Sequence, residues 1–257
     1  SLSIPSNGIR AIYADSSGNS LWLGTNKGSL VQLNLANYHF SEVTVQGETE
    51  QAYGGLINAL FVEDGWAFVG TSQKIFAIEI SSGKVQILFP GKVERNIRVN
   101  TIQNVYGRKL VGTSDGVFEI SGSGVGDNPF HLVETSVKTD VLSISEWTYG
   151  SMLITSPDEL MSVDERGQIT ILKRREELQS YLTGHVVDNQ NNIWIGTRYM
   201  GLYYFQLRSG EMVNFAFNPG NPLSLPDNDI KTLFFLKDQS ILWIGTKNGL
   251  AKYDYNR

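Results

Sequence analysis

Leu242-Trp243-Ile244-Gly245-Thr246, running on into Lys247-Asn248-Gly249-Leu250, is the stretch that decides the fold, because variants of it recur along the whole chain. Working outward from it, the copies are Leu21-Trp22-Leu23-Gly24-Thr25, Ala67-Phe68-Val69-Gly70-Thr71, Lys109-Leu110-Val111-Gly112-Thr113, Ser151-Met152-Leu153-Ile154-Thr155 and Ile193-Trp194-Ile195-Gly196-Thr197. Their threonines lie 46, 42, 42, 42 and 49 residues apart. Regular self-similarity at such a period marks an array of supersecondary units. The fourth copy is the most degenerate, with Ile154 in place of the glycine.

Each copy has the same surroundings. A β-prone apolar segment precedes it, as in Ile9 to Ala14, Ile57 to Val62 and Ile230 to Leu236. Turn formers follow that segment, for example Asp15-Ser16-Ser17-Gly18-Asn19 and Asp188-Asn189-Gln190-Asn191-Asn192. After the threonine comes a short turn such as Asn26-Lys27-Gly28, then a third strand (Val117 to Ile120, Leu202 to Leu207, Leu250 to Tyr255). A fourth follows in most copies, as in Lys84 to Phe89 or Met212 to Phe217. Short strands joined by such turns read as an antiparallel meander. A lone meander leaves both faces bare, and stacking of successive blades buries them. The expectation is an all-β chain, a β-propeller of six four-stranded repeats over residues 7–50, 51–92, 93–135, 136–176, 177–221 and 222–257, in one domain spanning 1–257. Trp22, Trp194 and Trp243, with Phe68, Leu110 and Met152 at the same position, are the expected interblade core. The glycine beside each is expected to mark close approach of another backbone. Lys173 to Leu182, rich in Arg, Glu and Leu, is the one helical interruption, read as a short turn or helix between the fourth and fifth blades.

Composition bounds the function. Apolar residues make up 41 % of the chain, enough for a core. The net charge of −5 disfavours a phosphate-backbone binder, so no nucleic-acid partner is expected. No apolar run is long enough to span a bilayer. The absence of cysteine removes disulfides and thiolate chemistry.

The turn-and-anchor pattern resembles the two-component regulator propeller repeat, most closely from Asn228-Asp229-Ile230 to Lys247-Asn248-Gly249-Leu250-Ala251-Lys252-Tyr253-Asp254. The linker Asn218-Pro219-Gly220-Asn221-Pro222-Leu223-Ser224 is similar to that family's inter-repeat loop. The resemblance implies a sensor module outside the cytoplasm, within a membrane-anchored receptor that carries further domains, often answering to polysaccharide fragments. It also implies seven blades to a full ring. Ser1-Leu2-Ser3-Ile4-Pro5-Ser6-Asn7 aligns with Pro222-Leu223-Ser224-Leu225-Pro226-Asp227-Asn228, and the sixth copy stops after its third strand. The chain is therefore expected to be an excerpt of a longer array whose last blade is three-stranded, or patched by Ser1 to Ile4 or by a neighbour.

Sites with chemistry are sparse. Gly-Thr-x-x-Gly lacks the loop length and following helix of a phosphate cradle and reads as a hairpin turn. The Asp15 and Asp188 turns lack the ligand series of a calcium loop. His39, His131 and His185 sit in different repeats without metal-ligand spacing, and no metal or cofactor is expected. Glu63-Asp64, Asp158-Glu159 and Lys173-Arg174-Arg175-Glu176-Glu177 read as solvated charge.

One aligned position stands out. The residue after the first aliphatic of each innermost strand is Arg10, Asn58, Asn100, Leu142, Thr183 and Lys231. Five of these are polar, which predicts either a ligand site at a channel mouth or mere solvation of a wet channel. Arg198-Tyr199, in a longer loop, is a second recognition candidate. The leading expectation is a non-catalytic sensor of small molecules or oligosaccharides, using Arg10, Asn58, Asn100, Lys231, Arg198 and Tyr199, with no catalytic residues. The alternatives are a carbohydrate-active or lyase-type propeller enzyme, which would need convergent carboxylates or histidine at the axis, and a scaffold in an envelope or secretion assembly.

Overall fold

A computed structural model describes residues 3–4, 6–15, 18–43, 55–88, 97–126, 128–148 and 150–255. Two compact units are present, Ser1–Asp140 and Val141–Arg257. In the first, β1 (Ile9–Ala14), β2 (Ser20–Thr25), β3 (Leu30–Asn34) and β4 (His39–Glu42) form one antiparallel sheet in sequence order. A second sheet holds β5 (Ile57–Glu63), β6 (Trp66–Thr71), β7 (Ile75–Glu79) and β8 (Val85–Leu88). A third holds β9 (Val99–Val105), β10 (Arg108–Thr113), β11 (Gly116–Ser121) and β12 (His131–Glu134).

The second unit repeats the plan. Its first sheet is β13 (Ser143–Glu146), β14 (Met152–Thr155), β15 (Glu159–Val163) and β16 (Ile169–Arg174). After α1 (Arg175–Leu178) come β17 (Leu182–Val187), β18 (Ile193–Thr197), β19 (Leu202–Phe205) and β20 (Met212–Phe215). The last sheet has three strands among the described residues: β21 (Ile230–Leu236), β22 (Ile241–Thr246) and β23 (Gly249–Asp254).

The anchor side chains are buried in five copies, and Trp22, Phe68 and Trp194 pack between neighbouring sheets. Trp22, Phe68, Leu110, Met152 and Trp194 are all buried. Trp243 is the exception. It is only half-buried, and Phe234, opposite it on β21, is 60 % exposed, so it is not the core residue expected. The anchor glycines also differ from expectation. A Cβ on Gly24 would meet the side chain of Ile57 at 2.3 Å, one on Gly70 that of Val99 at 2.3 Å, and one on Gly196 that of Ile230 at 2.8 Å. The neighbour is thus the first aliphatic of the next blade's inner strand, a side chain seated in the socket that glycine leaves, and not a backbone.

The anchor threonines close the turns that follow. Thr25 Oγ1 accepts from Ser29 N at 2.9 Å, and Thr197 Oγ1 donates to Gly201 O at 2.7 Å while accepting from Met200 N at 3.1 Å. This is the local side-chain bonding that favours threonine at turns. In the degenerate fourth copy the role passes to Ser156, whose Oγ accepts from Glu159 N at 2.9 Å. The short turn or helix expected within Lys173 to Leu182 is the single turn α1. The first residues of that stretch extend β16, pairing Lys173 with Leu160 and Arg174 with Glu159, because that ladder outweighs local helix propensity.

Candidate functional site

The polar position at the start of the inner strands has a structural cause. The ladder slips between Ile9 and Ala11, between Ile57 and Ala59, between Leu182 and Gly184, and between Ile230 and Thr232. In β9 the pairing steps from Val99 to Thr101. Arg10, Asn58, Thr183, Lys231 and Asn100 are therefore the extra residues of β-bulges. A bulge leaves its extra residue out of the ladder and re-aims the side chain, which frees these positions from core alternation. The fourth repeat has Leu142 here, just before β13.

In the first unit these side chains form a relay from blade to blade. Arg10 Nε donates to Asn58 Oδ1 at 3.2 Å, and Asn58 Nδ2 donates to Val99 O at 3.2 Å. Arg98 Nε donates to Asn100 Oδ1 at 3.1 Å, and its Nη2 lies 2.7 Å from Asp140 Oδ2. Asn100 Nδ2 donates to Asp140 Oδ1 at 2.9 Å. Asn58 and Asn100 thus spend hydrogen-bonding capacity on tying neighbouring inner strands together. Arg98 and Asp140 were not among the sequence candidates. They complete the relay only because separate repeats place them beside Asn100.

The second unit is more open. A groove of about 480 Å³ is bounded by Tyr181, Thr183, Arg198, Asp229 and Lys231, with Leu142 at one side. Lys231 Nζ lies 2.7 Å from Asp229 Oδ2. The Arg198 guanidinium sits 5.6 Å from the centre of the Tyr199 ring, and no ion pair holds it among the described residues. Tyr199 is exposed beside the groove and does not line it. Tyr181 lies under the Arg175 guanidinium at 4.7 Å. The structure therefore brings Arg198 and Lys231 to one groove, and Arg10, Asn58 and Asn100 to one relay in the other unit.

His185 is the buried imidazole of the second unit. Its Nδ1 meets Thr155 Oγ1 at 2.6 Å and Ser143 Oγ at 2.9 Å, and its Nε2 meets Ser145 Oγ at 2.8 Å. Thr155 is available for this contact because Ser156 closes the turn instead. Both ring nitrogens are engaged by hydroxyls, so His185 acts as a structural cross-link between β13, β14 and β17. Among the described residues no group of three or more His, Cys, Asp or Glu converges as a metal site.

Burial lowers the His185 pKa from 6.5 to about 4, so the ring is neutral at pH 7. The unfolded chain binds this proton near pH 6.5 and the folded one only near pH 4. Stability is therefore lost as pH falls through that window, by about 2–3 kcal/mol at pH 4.5. Urea unfolding at pH 7 and 4.5 checks this. The pH dependence should shrink by that amount in His185→Gln, and identical profiles for the two proteins would exclude His185 as its source.

Comparison with known proteins places this geometry. The two component regulator propeller model matches residues 3–27. No curated protein matches the sequence. Among solved structures, the extracellular domain assigned to a one component system from B. thetaiotaomicron superposes with a TM-score of 0.79 at 17 % identity. Extracellular domains assigned to hybrid two component systems of the same organism give 0.77 at 18 % and 0.75 at 19 %. Each match covers 99 % of this chain and 34 % of the other, so the chain spans about a third of the structures it resembles. The fold is an all-β, β-propeller fold, with its sheets as the blades. No helix among the described residues is long and apolar enough to cross a membrane.

Proposed function

We propose that this chain is a non-catalytic sensor propeller acting outside the cytoplasm as one segment of a larger two-component-type receptor. The observation that carries the reading is the groove of the second unit, lined by the Arg198 guanidinium, which has no ion pair among the described residues, and by the bulge residue Lys231. Concave sites with a few convergent polar groups are the usual form of ligand sites. The similar extracellular domains of signalling systems, together with the match at residues 3–27, support the receptor setting. The ligand is a small polar molecule, and an oligosaccharide fragment fits best. Arg198 offers donors to hydroxyl or acid oxygens, and the Tyr181 ring offers an apolar wall for a sugar face. Arg10, Asn58 and Asn100 are proposed as a separate set of ligand contacts within the first unit.

The enzyme reading needs a reachable acid or base. The buried histidine of the second unit cannot serve as one, since hydroxyls occupy both its nitrogens. Titration calorimetry against a panel of neutral and acidic oligosaccharides tests the sensor reading. Arg198→Ala with Lys231→Ala should weaken binding by about tenfold or more, the loss expected when charged hydrogen bonds go. Single changes at Arg10, Asn58 and Asn100 report whether the relay also touches ligand. Unchanged affinity in the double variant, or turnover of any sugar in the panel, would sink the proposal.

A further inference from the structure

The groove of the second unit is short of side-chain acceptors, and that bears on what its ligand must carry. Tyr181 and Thr183 reach it from the start of β17, Arg198 from the turn after β18, and Asp229 and Lys231 from the start of β21. The carboxylate in this lining is already occupied. Asp229 Oδ2 lies 2.7 Å from Lys231 Nζ, and Asp229 Oδ1 is buried, with no hydrogen-bond partner among the described residues. An oxygen buried in this way offers nothing to a ligand at the surface. The hydroxyls of Tyr181 and Thr183 are the other side-chain acceptors. Arg198, by contrast, is exposed, and its guanidinium has donors only.

Charge points the same way. Arg198 and Lys231 against Asp229 leave the lining with a single positive charge in excess. The other guanidinium nearby, that of Arg175, stacks on Tyr181 and is paired with Asp158 at 2.9 Å. Backbone bonds fix the walls before any ligand arrives. Arg198 N donates to Tyr181 O at 3.0 Å, Tyr199 N to Ser180 Oγ at 3.0 Å, and Leu182 N to Pro157 O at 2.9 Å. Leu182 and Ile230 are buried and give the groove an apolar floor. Cationic donors beside an apolar floor match a ring with one charged edge and one apolar face.

We propose that this groove selects acidic sugars, with Arg198 taking the carboxylate of a uronic acid residue whose apolar face lies on the floor. The inference rests on the sensor reading and narrows it from oligosaccharides in general to those that carry a carboxylate. A planar guanidinium meets a carboxylate through two parallel N–H···O bonds, a match that an ammonium group does not make. Arg198 is therefore the discriminating residue, and Lys231, neutralised by Asp229, adds a weaker attraction. A neutral sugar brings hydroxyl donors to a surface with few acceptors for them. It would also strip water from the guanidinium without supplying a counter-charge.

Short oligosaccharides of galacturonate, glucuronate and mannuronate, each measured beside its own methyl ester, test this by titration calorimetry on the whole chain. The ester keeps the ring and its hydroxyls and loses only the charge. At least one acid should bind about tenfold more tightly than its ester, the scale of one charge-assisted contact. Added salt should weaken the acid and leave the ester nearly unmoved. Arg198→Gln should bring the two affinities together by weakening the acid about tenfold, and Arg198→Lys, which keeps the charge without the fork, should restore only part of the preference. Acid and ester bound alike by the unchanged protein would overturn the inference and leave the sensor reading standing, whether or not the variants fold. An acid preference untouched by Arg198→Gln would do the same. If neither these acids nor neutral oligosaccharides bind, both readings fall.

Discussion

Trp194→Ala is expected to lower the unfolding free energy by about 3–5 kcal/mol, the range for removing a large aromatic from a packed core. The indole is 1 % exposed. Its ring centre lies 4.4 Å from Tyr204, 5.5 Å from Phe215 and 5.3 Å from Tyr253, so it fills the layer between the last two sheets. Its Nε1 also donates to Tyr255 Oη at 2.5 Å, a bond that alanine cannot replace. Little can collapse into the gap, because the walls are rings held by their own strands. Urea unfolding of the two proteins measures the difference. A loss below about 1 kcal/mol would mean that the layer does not depend on this ring.

Anchors and strands were legible because they depend on local pattern. Ile9–Ala14 and Ile230–Leu236 are strands with the bounds that their apolar runs predict. The polar position at Arg10, Asn58, Asn100 and Lys231 was visible as an alignment, but its cause was not. A bulge is a relation between two strands, and a single strand does not display it. The fourth copy looked merely degenerate. Its Thr155-Ser156 pair carries a readable signal, since the serine takes over the turn and frees the threonine for His185. Trp243 shows the reverse failure. Its motif matches Trp194, but burial is decided by what covers the sheet, which the motif does not encode. Asp188 was read as an ordinary turn aspartate for a similar reason. The two tyrosines that bury it come from β19 and from just beyond β23, the second 67 residues away.

That aspartate carries the second large effect. Asp188 is 3 % exposed, and both its oxygens are fully engaged. Oδ1 accepts from the backbone N–H of Gln190 at 2.8 Å and of Asn192 at 2.9 Å, closing the turn between β17 and β18. Oδ2 accepts from Tyr204 Oη and Tyr255 Oη, both at 3.0 Å, and from Asn192 Nδ2 at 3.3 Å. Burial first, and then the Asp188 charge, raise the pKa of Tyr204. Burial raises that of Tyr255 as well, with the same charge adding to it. Asp188→Ala would strand these donors in a dry layer, and stability should fall by about 3–5 kcal/mol, as when one partner of a buried charged network is removed. Asp188→Asn keeps the size and one acceptor, and the tyrosine hydroxyls can turn to accept from the new amide, so its loss should be about 1–2 kcal/mol. Because Trp194 reaches Asp188 through Tyr255, the double variant Trp194→Ala, Asp188→Ala should cost less than the sum of the single losses. Denaturant unfolding of the four proteins measures that coupling. Ultraviolet titration of Asp188→Asn supplies the electrostatic readout, with phenol ionisation beginning at lower pH once the charge is gone. A stable Asp188→Ala protein, or a phenol titration unmoved by Asp188→Asn, would show that the carboxylate does not organise this layer.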